Sequence, residues 1–328
     1  MNNELQRILE LITVSKRILI TSHENPDGDA IGSMLGLGLG LEQLGKEVVY
    51  YNKDGVPELL RFLPQSDRIG KSLKDIHGKF DIAFALDCTG TNRVGEEFES
   101  FLKSGRSRHA VIVDHHKTNN SSADFHLLDP ASSSTGIIIY SLLKALSVEI
   151  DNSIAENIYT TIVGDTGSFR YSNTNPGTFR VAAELVEHGA DPAEVSEALF
   201  ESEPFRKLKL IGLVLNTLEV SDDKKIASVY IDTSMFAESG ACREDTEGLV
   251  NIPRSLKGVE VAVLFREEWG SGGTLWKVSF RSKGEVDVAE IAESFGGGGH
   301  KRAAGCSIPG SLKEVKDKIF GSIREVLR

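Results

Sequence analysis

The sequence predicts an α/β fold: a doubly wound, mostly parallel sheet flanked by helices, followed by a second, smaller domain of mixed α/β type. In the N-terminal part, short apolar runs alternate with helical patterns, as in parallel strands joined by helices. Three of these runs end directly in polar residues, and open α/β sheets bind their ligands at the carboxyl ends of strands. The C-terminal part is predicted to contain three strands and three helices.

The chain of 328 residues is long enough for two domains, because single domains mostly contain about 100–200 residues. We place the first domain at residues 1–190, a helical linker at 191–220 and the second domain at 221–328. Hydrophobic residues make up 40% of the chain and charged residues 26%, which is ordinary for a globular protein.

Composition argues against several classes of protein. No apolar stretch approaches the roughly 18 residues that a membrane span needs, so we expect a soluble protein without membrane partners. Three scattered cysteines, Cys88, Cys242 and Cys306, predict a cytoplasmic location and disfavour disulfides or a Cys-zinc site. A net charge of −11 disfavours long duplex nucleic acid, whose binding depends on many Lys/Arg–phosphate contacts. A small phosphate substrate is compatible with this charge if metal ions neutralise the carboxylates.

The pattern of the first domain predicts its elements in order. Strands are expected at 17–22, 46–51, 79–86 and 108–113, and helices at 3–14, 30–44, 135–146, 153–163 and 176–188, with further helices in 192–220. Helix 30–44 carries Gly32, Gly36 and Gly40 on one face. Because glycine lowers helix propensity, we expect these positions to pack closely on the sheet.

The second domain ends in an unusual glycine-rich segment. Its strands are expected at 226–231, 259–265 and 274–280, and its helices at 244–250, 287–294 and 311–327. Between the last two helices, the four glycines Gly296–Gly299 precede His300, Lys301 and Arg302. We expect this segment to bring backbone close to a ligand.

The stretch from His23 to Asp29 is the first candidate for chemistry. It follows the first predicted strand, and its proline and glycine fix a turn. His23, Asp27 and Asp29 can therefore converge on an ion such as Mn²⁺, Mg²⁺, Fe²⁺ or Zn²⁺. The alternative is a capped turn, in which Asp27 or Asp29 caps the next helix and His23 lies at the surface.

Further acids and histidines follow later elements. Asp87 follows the third predicted strand, and the alternative interpretation of it is a turn cap. Asp114-His115-His116 follows the fourth predicted strand, and the alternative interpretation of this motif is a polar surface loop. Asp165 stands at the end of a predicted helix, where the helix macrodipole disfavours an acid. A bound cation would explain an acid at that position.

Together these motifs supply six candidate metal ligands, four carboxylates and two imidazoles. They are His23, Asp27, Asp29, Asp87, His115 and Asp165. Four acids in one pocket would repel one another, whereas two divalent ions about 3.5–4 Å apart would satisfy them, with one carboxylate bridging. Such a pair lowers the pKa of a shared water to give a hydroxide, and it clamps the attacking and leaving oxygens at phosphorus. We therefore expect phosphoester hydrolysis.

The ordered motifs resemble the DHH/DHHA1 phosphoesterase superfamily over essentially the whole chain. The resemblance rests on His23-x-Asn25-Pro26-Asp27-x-Asp29, Asp87, Asp114-His115-His116, Gly164-Asp165 and Gly297-Gly298-Gly299-His300. Length and layout are similar to the group of bifunctional oligoribonucleases and 3′-phosphoadenosine 5′-phosphate (pAp) phosphatases. The resemblance implies an exonuclease that degrades short RNA to mononucleotides and also converts pAp to AMP.

The resemblance also implies roles for single residues. One ion would be held by His23, Asp27 and Asp87, and the second by Asp29, Asp87, His115 and Asp165. Both ions would be Mn²⁺, with Mg²⁺ or another divalent ion as the alternative. His116 would face the scissile phosphate and act with Asp87 and His115 in catalysis. The substrate's phosphate or terminal nucleotide would be bound in the second domain by Arg281, Gly298, Gly299, His300 and Lys301.

Other functions stay open from the sequence. The same chemistry could act on cyclic di-AMP or its linear product pApA. A family II inorganic pyrophosphatase shares the first four motifs but not the glycine–His segment. A non-catalytic nucleotide-binding module is the alternative of another class, and the full ligand set argues against it. The expected partners are short single-stranded RNA and small phosphorylated nucleotides, and a homodimer stays open.

Overall fold

The computed structural model describes residues 2–74, 76–116, 123–270, 273–284 and 286–327. The chain divides into two compact units, residues 1–202 and residues 203–328. The first unit contains a five-stranded parallel sheet and the second a six-stranded mixed sheet, so the predicted fold class is confirmed. Within the described ranges, no helix combines the length and apolar character needed to cross a lipid bilayer.

The sheet of the first unit has the strand order β2-β1-β3-β4-β5. Its strands are β1 (Arg17–Ser22), β2 (Glu47–Tyr51), β3 (Phe80–Leu86), β4 (Ser107–Asp114) and β5 (Phe125–Leu128). Its helices are α1 (Asn2–Val14), α2 (Gly28–Gln43), α3 (Glu96–Lys103), α4 (Thr135–Ala145), α5 (Asn152–Asp165), α6 (Pro176–Glu187) and α7 (Pro192–Phe200). The order reverses between β1 and β3, and such a reversal opens a crevice at the carboxyl edge of a sheet.

Both faces of this sheet are buried, as expected for a doubly wound fold. On one face, Ile18 and Ile20 of β1 pack with the apolar residues of α1, α2, α4 and α5. On the other face, Leu19 of β1 packs with Phe98 and Phe101 of α3. The alternation along β1 thus divides its side chains between two cores and fixes the register of the strand.

The glycines of α2 pack against neighbouring helices, so the prediction that they pack on the sheet is wrong. A Cβ atom on Gly32 would lie 2.4 Å from the carbonyl oxygen of Asn157 on α5. A Cβ on Gly36 would lie 2.8 Å from Ile158 of α5, and one on Gly40 would lie 2.4 Å from Leu143 of α4. Helical spacing fixed one face for these glycines, but it could not show which element that face meets.

The second unit is built on a mixed sheet with the strand order β10-β11-β9-β8-β7-β6. Its strands are β6 (Glu219–Val220), β7 (Ile226–Ile231), β8 (Val261–Gly270), β9 (Gly273–Ser282), β10 (Gly298–His300) and β11 (Ala303–Pro309). Its helices are α8 (Phe205–Leu215), α9 (Thr233–Ser239), α10 (Asn251–Arg254), α11 (Val288–Ser294) and α12 (Leu312–Val326).

Two predicted segments of the chain differ in detail from the structure. The helix expected at 244–250 is replaced by a 3₁₀ turn at Glu244–Thr246 and the short helix α10. Residues 191–220, predicted as a helical linker, divide between the two units, with α7 in the first and α8 in the second. Each of these helices buries apolar side chains: Val195 of α7 joins the core of the first unit, and Leu210 of α8 joins a core of the second.

The glycine-rich segment forms an antiparallel hairpin of β10 and β11. Gly298 pairs with Gly305, and Gly299 has a φ of +149°, which strongly favours glycine. A Cβ on Gly299 would lie 2.5 Å from the carbonyl oxygen of Ala303, and one on Gly297 would lie 2.1 Å from that of Gly305. The close approach of two strands therefore requires at least two of these glycines. An added Cβ on Gly298, in contrast, would meet nothing within 4 Å.

We predict that Gly32→Ala destabilises the first unit by about 1–3 kcal/mol, the usual cost of overpacking a well-packed core. The added methyl group would overlap the α5 backbone at Asn157. Gly164→Ala is the matched control, because Gly164 lies on α5 with nothing within 4 Å of its added Cβ. Denaturant unfolding of the metal-free proteins measures both. A Gly32→Ala variant as stable as wild type would contradict the close α2–α5 contact.

Candidate metal centre

The carboxyl ends of three parallel strands bring the predicted ligands together. Ser22 of β1 pairs in register with Leu86 of β3, which pairs with Val113 of β4. The residues that follow these strands, His23, Asp87 and the Asp114-His115-His116 segment, therefore adjoin one another at one edge of the sheet. The remaining ligands arrive on helices: Asp27 and Asp29 at the start of α2, and Asp165 at the end of α5.

Among the described residues of this pocket, three groups of side chains could hold a metal ion. They are His23–Asp27–Asp87, Asp29–His115–Asp165 and Asp87–His115–His116, and in each group the donor atoms lie within 4.8 Å of one another. All six ligands predicted from the sequence occur in these groups, and Asp87 occurs in two of them. The donors are carboxylate oxygens and imidazole nitrogens, a set that suits divalent ions such as Mn²⁺, Mg²⁺ or Zn²⁺.

Asp87 lies at the centre of the pocket and is almost completely buried. Its Oδ2 is 3.5 Å from His23 Nε2, and its Oδ1 is 3.6 Å from His115 Nε2. Its backbone has a φ of +54°, a left-handed conformation that Asp tolerates better than most residues and that is often found at functional sites. The two carboxylate oxygens thus face two different histidines.

The histidines are oriented by bonds from their other ring nitrogen. Nδ1 of His23 donates to the carbonyl oxygen of Glu24 at 2.8 Å, and Nδ1 of His115 donates to that of Ser132 at 3.3 Å. Because a carbonyl oxygen only accepts hydrogen bonds, these contacts place the proton on Nδ1 and turn Nε2 towards the carboxylates. Such a backbone partner on the outer nitrogen is typical of metal-binding histidines.

Two of the acids also have a structural role, as the capping alternative anticipated. Asp27 caps α2, since its Oδ1 accepts from the backbone N–H groups of Asp29 and Ala30 at 3.0 and 3.1 Å. Asp29 receives the first N–H groups of α4, with Oδ2 2.8 Å from Thr135 N and Oδ1 3.1 Å from Gly136 N. Capping and metal binding are therefore compatible on the same carboxylates.

The electrostatics of the pocket favour a bound cation. Burial raises the pKa of Asp29 well above its usual value, and the nearby charges of Asp87, Asp165 and Asp27 raise it further. Burial likewise raises the pKa of Asp165 to about 6. Burial also opposes the charge of Asp87, but contact with His23 and the charge of His115 outweigh it and lower its pKa. Nearby negative charges favour the protonated, neutral form of these carboxylates, whereas bound divalent ions would favour the charged form.

His116 has a carboxylate partner of its own, Asp114, the first residue of the Asp114-His115-His116 motif. Nδ1 of His116 lies 2.7 Å from Asp114 Oδ1, and Asp114 is fully buried. This hydrogen bond raises the pKa of His116 to about 9 despite partial burial of the ring, so the imidazole is cationic near neutral pH. The imidazolium places a positive charge beside Asp87, and the Asp114 carboxylate balances that charge within the pair.

The substrate-binding residues predicted in the second unit lie on adjacent strands. Register pairs His300 of β10 with Ala303 of β11, and Ala303 with Arg281 of β9. Arg281 is partly buried, and Lys301, in the hairpin turn, is exposed. Gly298 and Gly299 form the rest of β10. The side chain of His300 lies outside the described residues.

Among the residues that the structure describes, several that hold the ligands in place were missed by sequence reasoning. Thr135 donates from its hydroxyl to Asp87 Oδ1 at 3.1 Å, and Asn173 Nδ2 donates to Asp165 Oδ2 at 3.2 Å. Asn52, fully buried at the end of β2, donates to the carbonyl oxygen of His23 at 2.9 Å. The run of serines before α4 was the one available signal, because serine-rich turns commonly supply such bonds.

The sheet is doubly wound, and its His–Asp pocket lies where the strand order reverses, the place at which such sheets bind ligands. These features define a class of α/β proteins that can bind metal ions. The chain belongs to the DHH family: residues 17–162 match the DHH family N-terminal domain, and residues 223–328 match the DHHA1 domain. The predicted resemblance is therefore confirmed.

Relatives share nearly the full length of the chain. The bifunctional oligoribonuclease and PAP phosphatase NrnA of Thermus thermophilus is 35% identical, over 97% of this chain and 92% of its own. The protein of the same name from Bacillus subtilis is 29% identical, over 92% of each chain. Among crystal structures, an exopolyphosphatase-related protein from Bacteroides fragilis is similar, with a TM-score of 0.92, 26% identity and coverage of 99% of this chain and 96% of its own.

We predict that Asp87→Asn lowers the affinity for Mn²⁺ by more than about 100-fold, because partners outside the first ligand sphere alone are worth about 10–100-fold. The change removes the charge shared by two of the candidate groups. Asp81→Asn is the matched control: Asp81 lies on the same strand but accepts from Lys16 N and Arg17 N at its other end. Titration of the metal-free proteins by calorimetry measures this. Equal affinities in Asp87→Asn and wild type would refute the site.

Proposed function

We propose that this chain is a divalent-metal-dependent phosphoester hydrolase that degrades short oligoribonucleotides to mononucleotides and converts pAp to AMP. The observation that supports this most strongly is the 35% identity to the NrnA protein of Thermus thermophilus over nearly the whole of both chains. The meeting of six oxygen and nitrogen donors at one sheet edge supports the same chemistry.

We propose two Mn²⁺ ions as the cofactor. The residues fit such ions because several carboxylates lie close together in the pocket. Burial and the neighbouring negative charges raise the pKa values of Asp29 and Asp165, and divalent cations would stabilise the charged forms of both. His23, Asp27 and Asp87 would hold one ion, and Asp29, Asp87, His115 and Asp165 the other. When bound, the ions would supply an activated water and neutralise charge on the phosphate oxygens.

We propose that His116 acts directly on the substrate. Asp114 holds the ring and keeps it cationic, so the imidazolium can stabilise negative charge on the scissile phosphate or give a proton to the leaving oxygen. Asp87 and His115 would complete the catalytic group by fixing the neighbouring ions and the position of His116.

The second unit supplies the proposed recognition of phosphate. Arg281, Lys301 and His300 are positioned on one hairpin and the adjoining strand, and two of their side chains carry a permanent positive charge. A guanidinium group can bind a phosphate through two parallel hydrogen bonds. The open space beside Gly298 would let a ligand approach the backbone there. Stacking of bases on Phe280 or Trp276 is disfavoured, because both rings are buried.

We predict that the wild-type protein with Mn²⁺ hydrolyses pAp and a short RNA, and that a chelator abolishes both activities. His116→Ala should lower kcat by about 10²–10⁴-fold, the usual contribution of a general acid or base. His126→Ala, on β5, is the control and should retain activity. A steady-state assay of pAp, a trinucleotide RNA and cyclic di-AMP, side by side, measures this.

The substrate panel also decides between the proposed function and its alternatives. Fast turnover of cyclic di-AMP with slow turnover of pAp and RNA would favour the cyclic dinucleotide phosphodiesterase. Binding of nucleotides without turnover of any substrate would favour the non-catalytic module. Either result would overturn the proposal.

We predict that Arg281→Ala raises KM for pAp about 10-fold or more, since hydrogen bonds to charged groups contribute about 1.5–3 kcal/mol. Mn²⁺ affinity should stay unchanged, because the residue lies in the other unit from the metal centre. His300→Ala is expected to behave in the same way. Arg302→Ala, at an exposed neighbouring position, is the control for loss of a positive charge. Loss of metal binding in Arg281→Ala would contradict the assignment of metal binding to the first unit and phosphate recognition to the second.

A further inference from the structure

The segment Ser132–Gly136, formed by the turn before α4 and the first residues of that helix, contacts ligands from two other elements. Thr135 donates from its backbone N–H to Asp29 Oδ2 at 2.8 Å and from its hydroxyl to Asp87 Oδ1 at 3.1 Å. Gly136 donates from its N–H to Asp29 Oδ1 at 3.1 Å. Thr135 is fully buried, so one residue holds two carboxylates from α2 and the end of β3.

The same segment reaches two further ligands. The carbonyl oxygen of Ser132 accepts from His115 Nδ1 at 3.3 Å. The carbonyl oxygen of Ser133 accepts from Asn173 Nδ2 at 3.0 Å, and the same amide nitrogen contacts Asp165 Oδ2 at 3.2 Å. The segment therefore holds, directly or through Asn173, the four proposed ligands of one ion: Asp29, Asp87, His115 and Asp165.

The ligands proposed for the other ion take their contacts elsewhere. His23 is oriented by the carbonyl oxygen of Glu24, and Asp27 caps the start of α2, so both depend on the turn between β1 and α2. Asp87 serves both groups, but its Oδ2 faces His23 whereas its Oδ1 faces His115. The Thr135 hydroxyl bonds to Oδ1, on the side of His115.

We propose that Thr135 is a positioning residue for one of the two metal sites, the site of Asp29, Asp87, His115 and Asp165. This inference rests on the proposed metal-dependent function. Buried carboxylates repel one another, and donors that hold their oxygens in fixed positions stabilise the charged form before an ion arrives. Removing the hydroxyl should therefore weaken this site and leave the site of His23 and Asp27 close to its normal affinity.

Mn²⁺ titration of the metal-free protein tests the proposal without relying on activity. Thr135→Val removes the hydroxyl and keeps the side-chain size and the backbone N–H. One of two Mn²⁺ sites should weaken about 10–100-fold, the usual effect of losing a partner of a ligand, and Thr135→Ser should restore it. Thr160→Val is the matched control, because Thr160 is also fully buried and its hydroxyl bonds to Glu156 of its own helix at 2.9 Å.

The outcomes separate this inference from the function on which it rests. Two sites of wild-type affinity in a folded Thr135→Val protein would overturn the inference alone. Where thermal unfolding shows that Thr135→Val does not fold, Thr135→Ala decides, since it also removes the hydroxyl bond to Asp87 and keeps the backbone N–H. Wild-type affinity at both sites in that variant would also overturn the inference. A wild-type protein that fails to bind two Mn²⁺ ions would overturn the proposed function as well.

Discussion

Mutual repulsion of carboxylates gathered in one pocket is the constraint on which the rest of the first unit depends. Asp29, Asp87 and Asp165 converge from a helix start, a strand end and a helix end, together with the more exposed Asp27. Without partners, such a cluster would be excluded from a folded interior, because charge in a low-dielectric environment is expensive. The sheet edge, the helix termini and the histidines around the pocket all serve to hold these charges in place.

The fold offsets this repulsion with backbone groups as well as with histidine side chains. The start of α4 directs two N–H groups at Asp29, where the partial positive charge of a helix N-terminus favours an anion. The start of α2 does the same for Asp27. His23 and His115, fixed through Nδ1 by carbonyl oxygens, and His116, fixed by Asp114, complete the shell.

Much of this architecture is visible in the sequence, because strand ends in a parallel sheet fall at one edge. The strands β1 and β7 have the predicted bounds, and the polar residues after β1, β3 and β4 do converge. The short elements α3, β5 and α9 were missed because they contain too few residues to show a clear hydrophobic periodicity. Thr135 was missed for a different reason. It contacts Asp29, which lies 106 residues away along the chain, and the spacing of apolar residues does not show which distant residues meet. The orientation of His116 by Asp114 likewise depends on side-chain geometry that spacing alone does not encode.

The contact between α2 and α5 has a consequence for the choice of ion. At Gly32 no side chain of α2 separates the two helices, and an added Cβ would lie 2.4 Å from the carbonyl oxygen of Asn157, so α2 contacts the α5 backbone three residues from Asp29 and eight residues from Asp165. Because α2 carries Asp29 and α5 carries Asp165, this main-chain contact helps to set the spacing of the two carboxylates. Calcium prefers longer bonds and more oxygens than magnesium does, so the spacing of the carboxylates bears on which ion fits. Selection by size would then be built into helix packing, at a distance from the coordinating atoms themselves.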